Sequence, residues 1–128
     1  MKELSAIETN NAPIAIGPYS QGMKTGDLLF TSGQLPIDPA TGKMVEGSVA
    51  DRAHQALKNL RAVTEAAGGS LGDVVKTTVF LSDIGDFQEV NTVYAEYFEA
   101  PFPARSAFQV AALPLGADLE IEAVVVIK

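Results

Sequence analysis

The chain has 128 residues, nearly half of them apolar, and 16 acidic against 9 basic side chains give it a formal net charge of −7. That size suits one compact core over residues 1–128, and the negative balance works against binding of nucleic acid or of an anionic membrane. The absence of cysteine excludes a disulfide frame, a thiol nucleophile and a thiolate metal site.

The opening Met1-Lys2-Glu3-Leu4-Ser5 has neither a basic nor an apolar leader segment, and no apolar run is long enough to span a bilayer, so the expected compartment is the cytoplasm. Tyr19 to Lys24 and Leu28 to Ser32 flank Thr25-Gly26-Asp27, a pattern that predicts a β-hairpin with the glycine at a positive φ. Asp38-Pro39-Ala40-Thr41-Gly42-Lys43 is turn chemistry and predicts an exposed loop. From Ser48 the period becomes helical, with Ala53, Ala56, Leu57, Leu60, Val63 and Ala67 on one stripe. Ser48 with Asp51 caps its start, and Gly68-Gly69 ends it. Val74 to Leu81 is rich in β-branched residues and reads as a strand.

A second helix follows, with Asp86 and Glu89 as a capping-box-like start and Phe87, Val90, Tyr94 and Phe98 on one face. Pro101-Phe102-Pro103 breaks it and holds the chain extended on its way into Arg105. Ala104 to Ala111 and Leu119 to Ile127 read as two closing strands joined by a turn around Pro114 to Asp118. The order β-hairpin, α, β, α, β, β predicts an α+β fold, a mixed β-sheet with two helices packed largely on one face. Ala123 to Ile127 is apolar on both faces. Either this strand is central in its own sheet, or a second copy covers it in a closed homo-oligomer.

Several chemistries lack the residues they need. His54, the single histidine, falls outside its helix's apolar stripe and reads as solvated, so a Ser/His/Asp triad with Ser32 has no base. One histidine and no cysteine leave no usual zinc set, and the Asp38 loop lacks the alternating acids of a calcium loop. Gly68-Gly69-Ser70-Leu71-Gly72 follows a helix, whereas phosphate cradles precede one.

Arg105 is different, lying in apolar sequence where an arginine needs a partner. Two readings stay open: a salt bridge to Glu120 or Glu122, or a two-pronged grip on a small carboxylate ligand. Glu120 and Glu122 share one face of the last strand about 7 Å apart, which fits either a solvated acidic edge or a pair in which one carboxyl is pushed toward a pKa useful in proton transfer. Were the closing strands a tight hairpin, Arg105 would face Val126, some 20 Å along the strand from Glu120. A shared site would then need non-adjacent strands or a neighbouring subunit. Asn91, on the edge of its helix's apolar stripe, needs a hydrogen-bond partner. Tyr19 and Ser32-Gly33 fit either structural or ligand roles, and taken alone each is more often structural.

Ile16-Gly17-Pro18-Tyr19-Ser20-Gln21-Gly22, Thr31-Ser32-Gly33-Gln34, Val75-Lys76-Thr77-Thr78-Val79-Phe80, Val90-Asn91 and Phe102-Pro103-Ala104-Arg105-Ser106 together resemble the RidA/YjgF/UK114 family over nearly the whole chain. The resemblance implies a chorismate-mutase-like fold, a homotrimer with intersubunit clefts, and no cofactor. The implied activity is hydrolysis of 2-iminobutanoate and 2-iminopropanoate to 2-oxo acids and ammonia. It assigns Arg105 to the substrate carboxylate and Glu120 to the attacking water, with Tyr19, Ser32, Gly33, Asn91 and residue 107 lining the cleft. Members commonly carry cysteine at 107. Alanine here excludes a thiol mechanism and leaves the main chain to act. Two other readings fit less well: a non-catalytic binder of small carboxylates, and an RNA-cleaving translation inhibitor, which the negative charge disfavours.

Overall fold

The computed structural model describes residues 3–127. Met1, Lys2 and Lys128 lie outside the described residues, and with them the start of the leader reading and the ends of the expected 1–128 domain. The elements in chain order are β1 (Ser5–Ile7), β2 (Gly22–Thr25), β3 (Leu28–Thr31), β4 (Ile37–Asp38), β5 (Lys43–Met44), α1 (Val49–Ala66), β6 (Val74–Leu81), α2 (Phe87–Tyr94), β7 (Ala104–Gln109) and β8 (Leu119–Val126). Six of the strands form one mixed sheet in the order β1-β2-β3-β8-β6-β7, antiparallel except for the parallel pair β6 and β7.

The expected β2–β3 hairpin is present, closed by Gly26 at φ 57° with Thr25 opposite Leu28. The Asp38–Lys43 segment is more ordered than a loop. It turns tightly, with Gly42 N–H donating to the Asp38 carbonyl (2.8 Å), and its ends pair as β4 and β5. α1 starts on the predicted capping box, in which Ser48 Oγ accepts from Asp51 N–H and Asp51 accepts from Ser48 N–H. α2 departs from expectation. Asp86 makes no side-chain cap, and Asp83 instead accepts from Gly85 N–H at the head of a preceding 3₁₀ turn. Glu89 reaches across to accept from Ala50 N–H (3.3 Å), and the helix ends at Tyr94, before Phe98. Phe98 still stacks on Tyr94, with ring centroids 4.5 Å apart.

The two closing strands are not neighbours. α2 carries the chain back so that β7 runs parallel to β6 at the sheet edge, and β8 inserts antiparallel between β3 and β6. The apolar character of β8 on both faces suits that central place. On one face Leu29, Val79, Leu81, Ile121 and Val125 pack under Ala53, Ala56, Leu57, Leu60 and Val63 of α1, all essentially without exposure. Each large side chain so buried contributes roughly 1.5–3 kcal/mol. α2 lies over the same face, tied to it by the 2.7 Å bond between Tyr94 and Thr77 hydroxyls. On the other face Val124 and Val126 stand beside the exposed Phe30 and Leu28. Phe80 meets Phe108 edge to face there at 5.4 Å. No helix among the described residues is long and apolar enough to cross a membrane.

Candidate active site

β7 is an edge strand whose odd-numbered side chains turn toward the helices. Arg105 stands opposite Thr77, and its guanidinium lies over the Tyr94 ring (4.9 Å) and beside the Phe87 ring (5.1 Å). Such stacking uses the electron-rich ring faces to hold a cation while leaving its N–H edge free. Arg105 Nη1 donates to Asn91 Oδ1 at 2.6 Å, which answers both the arginine's and the asparagine's need for a partner. No carboxylate of the described residues lies within ion-pair distance of Arg105, so the internal salt bridge to Glu120 or Glu122 is absent. Burial pushes the Tyr94 hydroxyl above its ordinary pKa, while its bond to Thr77 and the Arg105 charge act the other way. The guanidinium opens on a cavity of about 380 Å³ lined also by Asn91, Tyr94, Phe102 and Pro103.

Ala107 lies two residues further along on the same face, partly buried against the core. Val110 N–H donates to the Leu81 carbonyl (2.8 Å). Strand alternation therefore turns the Ala107 N–H and C=O away from β6, to the free edge of the sheet. Its main-chain groups are free of pairing with β6.

Glu120 belongs to the other face, in the row Phe108, Phe80, Glu120, and is half-buried. Gln34 exchanges backbone hydrogen bonds with Ile121 (2.7 and 3.1 Å), which lays Gly33 against the Glu120 side chain. A Cβ at Gly33 would come within 2.6 Å of the Glu120 carboxyl, so only glycine admits that close approach. Burial and then the nearby Glu122 raise the Glu120 pKa above the ordinary carboxylate value. Ser32 Oγ donates to the Ser20 carbonyl (2.6 Å), committing its proton. Tyr19, exposed, stands with Gly33 on a second cavity of about 330 Å³.

The family model described as Endoribonuclease L-PSP matches residues 9–127. A human protein named 2-iminobutanoate/2-iminopropanoate deaminase is 52% identical over 120 residues, covering 94% of this chain and 88% of its own. The YjgF gene product of E. coli superposes with a TM-score of 0.92 at 50% identity, covering 97% and 99% of the two chains. E. coli TdcF, solved with bound serine, gives 0.92 at 47% identity with the same coverage. The chain belongs to the RidA/YjgF/UK114 family.

In this RidA-family chain the residues singled out from sequence fall into two groups. Arg105, Asn91 and Ala107 share the helix side of β7. Tyr19, Ser32, Gly33 and Glu120 gather around the β3–β4 connection. The groups do not meet. Arg105 aligns with Thr77 and Ala123, three residues from the Phe108–Phe80–Glu120 row, with β6 between the two strands and the side chains on opposite faces. Strand spacing puts the two backbones roughly 14 Å apart. The hairpin distance of about 20 Å is replaced, yet a single copy still does not assemble both halves.

Sequence reasoning missed three buried amides that shape the Glu120 half. Gln21 accepts from Thr9 N–H and donates to the carbonyls of Thr9, Ala12 and Pro13. Asn59 donates to the carbonyls of Leu35 (3.0 Å) and Ile37 (2.8 Å) while accepting from Gln55. Gln34, with its backbone paired to Ile121, also donates through its side chain to the Ser32 carbonyl. The available signal for Asn59 was its place beside Leu60 on the buried side of α1. His54 was read as solvated, but its Nδ1 lies 2.8 Å from the Tyr97 hydroxyl and its Nε2 3.9 Å from Glu96.

Proposed function

We propose that this chain hydrolyses 2-imino acids such as 2-iminobutanoate and 2-iminopropanoate to 2-oxo acids and ammonia, in clefts between the copies of a homotrimer. The observation that carries this reading is Arg105: a guanidinium braced by Asn91 and two rings, without an internal carboxylate, at the mouth of a cavity. The name of the human relative and the serine bound to TdcF, itself an amino acid with a carboxylate, support it. The opposite-face arrangement of Arg105 and Glu120 supports a cleft to which one copy brings the arginine and its neighbour the glutamate.

In such a cleft the free N–H groups of Arg105 pair with the substrate carboxylate and fix C2. Glu120 takes a proton from water as the water oxygen bonds to C2 and the C=N electron pair moves to nitrogen. The same carboxyl returns the proton to nitrogen. The same carboxylate then carries the hydroxyl proton to nitrogen as the C–N bond breaks and C=O forms, so that nitrogen leaves as ammonia and Glu120 is again a carboxylate. There is no net electron transfer, and the main-chain edge at Ala107 offers an N–H to the carboxylate. A carboxyl whose pKa is raised by burial and by Glu122 is a stronger base than an ordinary carboxylate, which suits both halves of that exchange.

The test is the rate of imine loss when a threonine dehydratase supplies fresh 2-iminobutanoate. Arg105→Ala should lower kcat/KM by about 100-fold, the worth of two hydrogen bonds to a charged group at about 1.5 kcal/mol each. An unaffected variant refutes the assignment. The word endoribonuclease in the family description finds little support in this chain. Its net charge of −7 repels a polyanion, and its single histidine is held between Tyr97 and Glu96.

A further inference from the structure

The cavity shared by Tyr19 and Gly33 is larger than a methyl or ethyl group needs. Its volume of about 330 Å³ lies within the range of small-molecule pockets, roughly 300–1,000 Å³. Its walls combine the polar Tyr19, Gln21, Gln34 and Thr41 with a larger apolar share that includes Ile14, Ile16, Ile37 and Leu115. Leu115 is conspicuous in its own right. In the turn between β7 and β8 it adopts φ 57°, ψ 23°, the one non-glycine residue among those described with a positive φ, and its side chain stays largely exposed. A branched side chain in the left-handed region is strained, and core packing does not compensate for it here. Strain kept without a packing return marks a position held for function. The Leu115 residue so held lines the cavity.

We infer that this cavity receives the substrate's side chain beyond C3, and that Leu115 sets how strongly longer aliphatic imino acids are preferred. The inference rests on the deaminase reading and extends it to the substrate class. Gly33 provides the link: its backbone lies against the Glu120 carboxyl and also lines the cavity. A substrate clamped at its carboxylate by a neighbouring copy's Arg105, with C2 beside Glu120, has its alkyl chain as the group left to enter an apolar wall.

The test uses the imines of alanine, 2-aminobutyrate and norvaline, generated in place by an L-amino acid oxidase. For the unmodified protein kcat/KM should climb about fourfold with each added methylene, the equivalent of ~0.8 kcal/mol per buried CH₂, and so about 16-fold across the series. Leu115→Gly, which removes both wall and strain, should flatten that climb and raise Tm. Leu115→Ala should flatten it without the gain in Tm, which separates the wall from the backbone. A flat or falling series for the unmodified protein, or a climb unchanged in both variants, overturns the subsite. No acceleration of any imine by the unmodified protein overturns the deaminase reading, and the subsite with it.

Discussion

The 2.6 Å bond from Arg105 to Asn91 Oδ1 uses one donor of five and aims the rest. Asn91→Ala should loosen that aim and raise KM about tenfold, near the lower limit for a hydrogen bond to a charged group. Asn91→Asp should raise KM further, because a carboxylate at that position satisfies the guanidinium and competes with the substrate. Steady-state kinetics on both variants checks the order. Glu120 behaves differently, since its raised pKa comes first from burial and second from Glu122. Its base form is lost as pH falls through a value above the ordinary 4.5, so the proposed base role predicts an acid limb there. Glu122→Gln removes the second cause and should move that limb to lower pH in a kcat/KM profile. A raised carboxyl pKa also costs stability above that pKa, and the cost is relieved as pH falls through it.

At the scale of elements, the β3–β4 connection is positioned from both sides. Asn59 on α1 holds the carbonyls of Leu35 and Ile37, and the Gln34–Ile121 bridge locks the segment to β8. Gly33 is thereby pressed against Glu120. Gly33→Ala would place a methyl group 2.6 Å from the carboxyl, and what yields is the glutamate side chain, since the backbone is held. A displacement of about 1 Å at a reacting group costs up to about 100-fold in rate. The expected outcome is a loss of that order in kcat with Tm little changed, read by kinetics and thermal melting on one sample.

For the whole molecule, the arrangement that matters is the division of Arg105 and Glu120 between opposite faces of one sheet. If each working cleft takes one residue from each of two copies, Arg105→Ala and Glu120→Gln proteins are inactive alone and complement when unfolded and refolded together. Random mixing in equal amounts restores about a quarter of the activity, because each half is intact with a probability of about one half in a symmetric ring. No recovery would mean that one copy supplies the whole site. The exposed Leu28, Phe30 and Phe108 on the helix-free face offer apolar surface for that assembly.

Much of this was legible in the amino-acid sequence because it is local. The β2–β3 turn depends on Gly26, the α1 start on Ser48 and Asp51, and the apolar stripe of α1 on a 3.6-residue period. The ordered motifs around Tyr19, Ser32, Asn91 and Arg105 likewise identified the family. What periodicity does not encode is which strands become neighbours. α2 returns the chain so that β7 lies parallel to β6 and β8 enters between β6 and β3, and that choice depends on packing across the whole core. The polar clamps were hidden for the same reason: Gln21 and Asn59 serve carbonyls 9 and 24 residues away, and the Gln34 backbone pairs with Ile121. Sequence alone identified the family and nominated the residues of a candidate site. Only the tertiary structure decided that Arg105 and Glu120 face apart, because the side of a sheet on which a residue stands depends on strand register, which long-range pairing sets.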